Sequence, residues 1–125
     1  MSKVTGVLID VKNRTTVVCS VNSGSLEDYY RILDCTTFDI ASRRIGENVY
    51  DIYCDDEGLL KCSPIVSAVS SDRQPMLVGN LFVTKTNDEG ETISLTAEEI
   101  REVLASVINL YDEDGNTWPA IVCDY

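Results

Sequence analysis

The most reactive side chains in this 125-residue sequence are five thiols: Cys19, Cys35, Cys54, Cys62 and Cys123. Their number is odd and no two stand in C-x-x-C spacing. Reduced, mostly buried thiols are therefore expected, rather than a disulfide framework. A nucleophilic cysteine needs a lowered pKa, usually from a cation or a helix N-terminus. Cys54, the nearest to a candidate, is followed by Asp55-Asp56-Glu57, which would raise its pKa. There is no histidine. That removes Ser-His-Asp and Cys-His catalysis and histidine metal sites. Carboxylate-only and Ser-Lys chemistry survive. Zinc held by scattered cysteines without histidine is not expected, and no cofactor is expected.

Asp112, Asp114 and Asn116 alternate as the first ligands of a calcium loop do. The sixth position of such a loop calls for glycine and the twelfth for a bidentate glutamate. Here Thr117 and Cys123 stand there. An acidic turn is the simpler reading, with adventitious cation binding as the alternative.

Charge is the strongest compositional signal. The net charge is −11, from 10 Lys+Arg and 21 Asp+Glu. Residues 1–62 hold 7 basic and 10 acidic residues, and residues 63–125 hold 3 and 11, so the halves carry −3 and −8. Such a chain repels a phosphate backbone, so direct nucleic-acid binding is not expected. It attracts basic surfaces, and the candidate interaction residues are Glu98, Glu99, Glu102, Asp112, Glu113 and Asp114. The plain alternative is that acidity serves solubility. Arg43-Arg44 is the only adjacent basic pair. It could hold an anion, but pairing with nearby carboxylates is the expectation. No run of about 18 apolar residues predicts a transmembrane helix. MSKVTGVLID lacks the h-region of a signal peptide, so a cytoplasmic protein is expected.

These residues need a scaffold, and the patterning supplies one. Residues 3–11 and Thr15–Val21 read as a strand pair around a Lys12-Asn13-Arg14 turn. Ser25 caps a short helix, with Asp28 three residues on and Leu26, Tyr29, Tyr30 and Leu33 on its apolar face. Of the two tyrosines, one core ring and one half-exposed ring are expected. Thr36–Ile45 reads as a strand, then Gly46 turns the chain into Asn48–Lys61, read as a hairpin. In that hairpin Asp55–Gly58 forms the tip, Gly58 takes positive φ and Leu59–Cys62 returns.

Residues 63–75, bracketed by Pro64 and Pro75, read as a loop. Met76–Lys85 reads as one buried strand with a bulge or close approach at Gly79. Glu91–Leu95 reads as extended. Thr96 and Glu99 form a T-x-x-E capping box. It opens a helix whose stripe is Ile100, Val103, Leu104, Val107 and Ile108, with Leu95 placed to staple against Ile100. The tail ends in an acidic turn and Trp118–Val122, which closes as a short strand or covers the core.

YDIYCDDEGLLKCSPIV, LVGNLFVTK and EGETISLTAEEI together resemble a domain-of-unknown-function family. Its members are short proteins encoded by phages, plasmids and conjugative elements of Gram-positive gut bacteria. The resemblance covers residues 4–108, from the first strand pair to the Ser94-Leu95-Thr96 helix entry. It departs after Cys62, where Ser63-Pro64-Ile65-Val66 keeps a proline but lacks the Asn-Arg that follows it in the family. The resemblance brings no established activity. It implies a mobile-element setting, in which small accessory proteins act on host machinery.

The sequence therefore predicts one α+β domain over residues 1–125: a family-like core, 4–108, and an acidic C-terminal extension, 109–125. Its sheet is mixed, mainly antiparallel, of five or six strands with two helices, the C-terminal helix packed on one face. The expected function is a non-enzymatic accessory protein that binds a host protein with a basic surface. The alternatives are a DNA-mimicking inhibitor of a nucleic-acid enzyme, a calcium-dependent module and a cysteine-based enzyme.

Overall fold

The computed structural model describes residues 3–58 and 64–125. The first half runs β1 (Lys3–Asp10), β2 (Thr15–Asn22), α1 (Leu26–Leu33), β3 (Phe38–Ile45) and β4 (Asn48–Asp55). The second half runs β5 (Val66–Val69), β6 (Pro75–Val78), β7 (Leu81–Thr86), β8 (Thr92–Ile93), α2 (Ala97–Ala105), β9 (Val107–Tyr111) and β10 (Thr117–Val122). Two sheets form. The larger has six strands, ordered β2-β1-β7-β4-β3 with β8 paired to β7, and every pairing in it is antiparallel. The smaller is ordered β6-β5-β10-β9 and contains the one parallel pairing among the described residues, β10 with β5.

Period-2 alternation sorts the side chains of the larger sheet into two cores. On one face Val7, Ile9, Ile52, Leu81 and Val83 meet Ala68 and Ile121 of the smaller sheet, and Val103 of α2. On the other, Leu8, Tyr53 and Phe82 meet Tyr29 and Leu33 of α1. The architecture is α1 on one side of a six-stranded sheet, with a second sheet and α2 on the other. Tyr29 is the core ring of its pair, stacked on Tyr53 at 4.7 Å, while Tyr30 is half-buried.

Local chemistry explains the helix starts. Thr96 and Glu99 form the expected reciprocal box. Ser25 accepts from the Asp28 amide at 3.3 Å, but the Asp28 carboxylate does not return to Ser25. It takes the Asn22 amide at 2.9 Å, tying α1 to the end of β2.

Several sequence expectations are corrected. The single expected sheet is joined by a second, four-stranded one. The loop expected over 63–75 contains β5, and Pro75 opens β6. The two prolines that suggested a loop sit outside β5 and at the first residue of an edge strand, where a missing N–H is tolerated. Met76–Lys85 is not one strand: Gly79, at φ +79°, turns the chain from β6 in one sheet to β7 in the other. A Cβ there would meet nothing within 4 Å, so positive φ is the reason for glycine and no close approach is involved.

The helical stripe ends at Ala105, and Val107 and Ile108 belong to β9. Being β-branched, they fit a strand as readily as a helix face. Gly58 does not take positive φ; a Cβ there would lie 2.7 Å from Val78 Cγ2, so close packing requires glycine. The expected return strand Leu59–Cys62 lies outside the described residues. The hairpin partner of β4 is β3, over all eight residues from Phe38↔Asp55 to Ile45↔Asn48, and β7 takes its other edge. Finally, residues 109–125 are no appendage: β10 lies inside the smaller sheet, and Ala120 and Ile121 are fully buried.

Gly6 is the tightest joint in the larger sheet. A Cβ there would lie 2.3 Å from the Val83 carbonyl oxygen, which is backbone and cannot swing away. Gly6→Ala should cost roughly 1–3 kcal/mol and lower Tm by about 5–15 °C. A thermal melt followed by circular dichroism tests this, and an unchanged Tm would contradict the account.

Candidate functional site

The six predicted interaction residues fall into two groups, and the structure gives their carboxylates different roles. On α2, Glu99 is internal machinery. Its Oε1 accepts from the Thr96 amide at 2.9 Å, and its Oε2 lies 2.6 Å from Lys85 Nζ. Burial raises its pKa, but the hydrogen bonds from Lys85 and Thr96 outweigh this and the net shift is downward. Glu102, one turn on, accepts from Tyr50 Oη at 2.7 Å, Asn48 Nδ2 at 2.7 Å and the Glu47 amide at 3.3 Å. It latches α2 onto the β3–β4 turn. The Tyr50 bond, then the Asn48 bond, hold its pKa down. Burial and the Glu102 hydrogen bond push the Tyr50 phenol up. Glu98 alone of the three is exposed, with no bond or ion pair among the described residues.

The second group forms the β9–β10 turn. Asp112 Oδ1 accepts from the amides of Asp114 and Asn116, each at 2.9 Å, and Oδ2 accepts from Asn116 Nδ2 at 3.1 Å. Gly115 supplies the positive φ of +83° that the turn needs. The three residues that alternate like calcium ligands are thus bonded to one another, with Asn116 turning a donor toward Asp112. Among the described residues no group of three or more His, Cys, Asp or Glu is placed to hold a metal ion. The side chains of Glu113 and Asp114 are exposed and carry no bond.

Three of the thiols, Cys19, Cys54 and Cys123, have raised pKa values, which disfavours the thiolate. Burial first, then the Asp39 charge, pushes Cys54 up to about 11 against a smaller lowering by Arg43. Its Sγ donates to the Asp39 carbonyl at 3.6 Å. Asp55 and Asp56 act in the expected direction, but burial, which neighbouring letters do not reveal, is the larger cause. Burial also pushes Cys123 up to about 11, with its Sγ 3.9 Å from Met76 Sδ, and raises Cys19. Cys62 lies outside the described residues.

Arg43 and Arg44 do not pair with carboxylates among the described residues. Arg43 donates Nη1 to the Ser42 carbonyl at 2.8 Å, and its guanidinium carbon lies 4.5 Å from the centre of the Tyr125 ring. Its Nε is buried with no partner among the described residues. The Arg44 amide donates to the Asp124 carbonyl at 2.7 Å, and the Asp124 amide donates back to the Arg44 carbonyl at 2.9 Å. Asp124 therefore clasps the outer edge of β3 at Arg44. No pattern in the sequence pointed to this clasp, because its partners are 80 residues apart.

A cavity of about 290 Å³ is bordered by Val11, Leu33, Ile65 and Asn80, with Lys12 and Asp34 beside it. Asn80 is occupied structurally: Oδ1 accepts from the Val11 amide and Nδ2 donates to the Ile32 carbonyl, both at 3.0 Å. Lys12 Nζ and Asp34 Oδ2 stand 3.5 Å apart. Among the described residues no nucleophile and base converge there.

Residues 4–108 match the family described as a domain of unknown function, DUF3846, and the chain belongs to that family. The match spans the same residues as the resemblance read from the sequence. No curated protein and no solved structure matches the chain.

Two outcomes follow from this geometry. With pKa values near 11, Cys54 and Cys123 hold little thiolate at neutral pH. Their iodoacetamide labelling in the folded chain should be roughly 100-fold slower than that of a free thiol. Mass spectrometry of timed samples reads this, and a fast-reacting Cys54 would reverse the reading. The lowered pKa of Glu102 gives stability that is full above its unfolded value of about 4.3 and is lost as pH falls through the folded value. Glu102→Gln should therefore melt below the wild type at pH 7, the gap closing under about pH 4. A gap independent of pH would show that the carboxylate charge is not what Glu102 contributes.

Proposed function

We propose that this chain is a non-catalytic binding protein that engages a basic surface of a partner protein by electrostatic attraction. The observation that carries the reading is the division of its carboxylates. Glu99, Glu102 and Asp112 are tied into the fold, whereas Glu98, Glu113 and Asp114 project into solvent with no internal partner. They lie in the half of the chain that carries −8 of the net −11. Exposed carboxylates without internal cations raise the field felt by an approaching basic surface and speed its encounter. The raised pKa values of Cys19, Cys54 and Cys123 favour binding over cysteine chemistry.

The setting follows the family resemblance: an accessory protein of a mobile element, working in the cytoplasm on a host protein. A host enzyme whose basic surface ordinarily holds nucleic acid is one partner with the required chemistry. Among the described residues no helix is long and apolar enough to cross a membrane.

Affinity capture from host lysate tests the proposal, run with the wild type and with Glu98→Gln/Glu113→Gln/Asp114→Asn. A partner held at about 0.05 M salt, released near 0.5 M and lost with the triple variant is expected. Capture that ignores both salt and the three substitutions, or no capture at all, overturns it.

A further inference from the structure

The larger sheet has two outer strands, β2 and β3, and they are treated differently. The edge of β3 is covered at Arg44 by the backbone of Asp124 and carries Asp39, Arg43 and Arg44. Charges and a covering segment are the usual devices that stop an edge strand from pairing again. β2 has neither. Its sequence, TTVVCSVN, contains no charge and no proline. It lies within the longest uncharged run of the chain, the twelve residues Thr15–Leu26. Its pairing with β1 is unbroken over eight residues, from Lys3↔Asn22 to Asp10↔Thr15, so no bulge twists it aside. Val17 and Val18, on opposite faces, are 41% and 48% exposed. Among the described residues, the strand's backbone from Thr15 to Val21 bonds to no backbone except β1.

We propose that β2 pairs with β2 of a second copy of this chain, antiparallel about a two-fold axis, so that the two larger sheets become one. The charges at the ends of the strand favour this occupant and this direction. Arg14 stands in the turn before β2, where Lys12 is already paired with Asp34, and Glu27 stands in the exposed first turn of α1 just after it. Antiparallel pairing brings Arg14 of each copy toward Glu27 of the other. Parallel pairing would bring like charges together.

A two-fold axis perpendicular to the sheet keeps both apolar faces in register, so Val17 and Val18 of each copy gain neighbours on their own faces. The assembly also closes. Asp124 caps β3 at Arg44 and charged Asp39, Arg43 and Arg44 line that strand, so continued pairing is disfavoured at the outer edge of the joined sheet. The outer strand β9 is a poorer candidate, with five residues leading straight into Asp112-Glu113-Asp114. One edge-to-edge contact is small for a stable interface, so a reversible dimer of micromolar affinity is expected.

Sedimentation equilibrium between about 1 and 100 µM reads the result. The wild type should pass from the 13.8 kDa monomer toward twice that mass. Val18→Lys places a charge on the exposed edge and should weaken association at least about tenfold while leaving the melting curve unchanged. Glu27→Arg lies outside the sheet, so it reads the contact even where Val18→Lys disturbs folding. It should weaken association roughly threefold or more, and adding Arg14→Glu should restore it. A chain monomeric through about 100 µM overturns the proposal. So does a dimer that persists in folded Val18→Lys or ignores Glu27→Arg.

Discussion

The structure depends on β7 being buried on both faces. Leu81, Phe82, Val83 and Thr84 are all fully inaccessible. Leu81 and Val83 enter the core shared with the smaller sheet, and Phe82 enters the core under α1. Its edges are taken by β1 and β4. Residues buried on both faces read as a continuous apolar run instead of an alternating one. Everything else is placed relative to that strand. α1 can cover one side only because Phe82 and Tyr53 present rings to Tyr29. The smaller sheet covers the other because Leu81 and Val83 face Ala68 and Ile121. The Thr84 hydroxyl is buried with no partner among the described residues, and nothing in the structure explains it.

How much of this was legible follows from where the signals are local. Capping boxes, β-branched runs and glycine turns act within a few residues, so β1, β2, α1, β3, β4 and the start of α2 could be read directly. The second sheet could not. It assembles from two hairpins far apart in the chain, 66–69 with 75–78 and 107–111 with 117–122. The parallel contact of Ile121 with Ala68 joins residues more than fifty positions apart. Within 76–85 two apolar triplets are separated only by Gly79-Asn80, and there the chain changes sheets. A single glycine in an apolar run is equally compatible with a bulge, and only tertiary structure decides between the two. The stripe through Val107 and Ile108 misled for the same reason, since strand and helix both accept those residues there.

The candidate site shows a similar division. Sequence identified which carboxylates exist but not which are engaged. Glu99 was identifiable as structural from its capping position alone. Glu102 was not, because its partners Glu47, Asn48 and Tyr50 lie more than fifty residues away. A carboxylate that accepts three hydrogen bonds has little residual potential to offer a partner, since its oxygens are already solvated by the protein. Glu98, Glu113 and Asp114 keep theirs. Counting acidic residues therefore overstates the binding surface of such a chain, and the useful quantity is the set without internal donors.

The distribution of charge also bears on how an acidic chain keeps its sheets from pairing at random. Self-repulsion from a net −11 acts at long range but is screened within about 8 Å at physiological salt. It cannot guard a particular edge, because strand pairing is decided at hydrogen-bonding distance. Local devices must do that, and the chain shows them unevenly. β6 opens on Pro75, and its pairing with β5 is broken by register shifts. β3 has the Asp124 backbone and two arginines, one of them under Tyr125. β8 covers part of β7. Where such protection is distributed so widely, the bare, uncharged length of β2 stands apart. Val21 and Cys19 of β2 serve the core under α1, but the half-exposed Val17 and Val18 belong to neither core cluster.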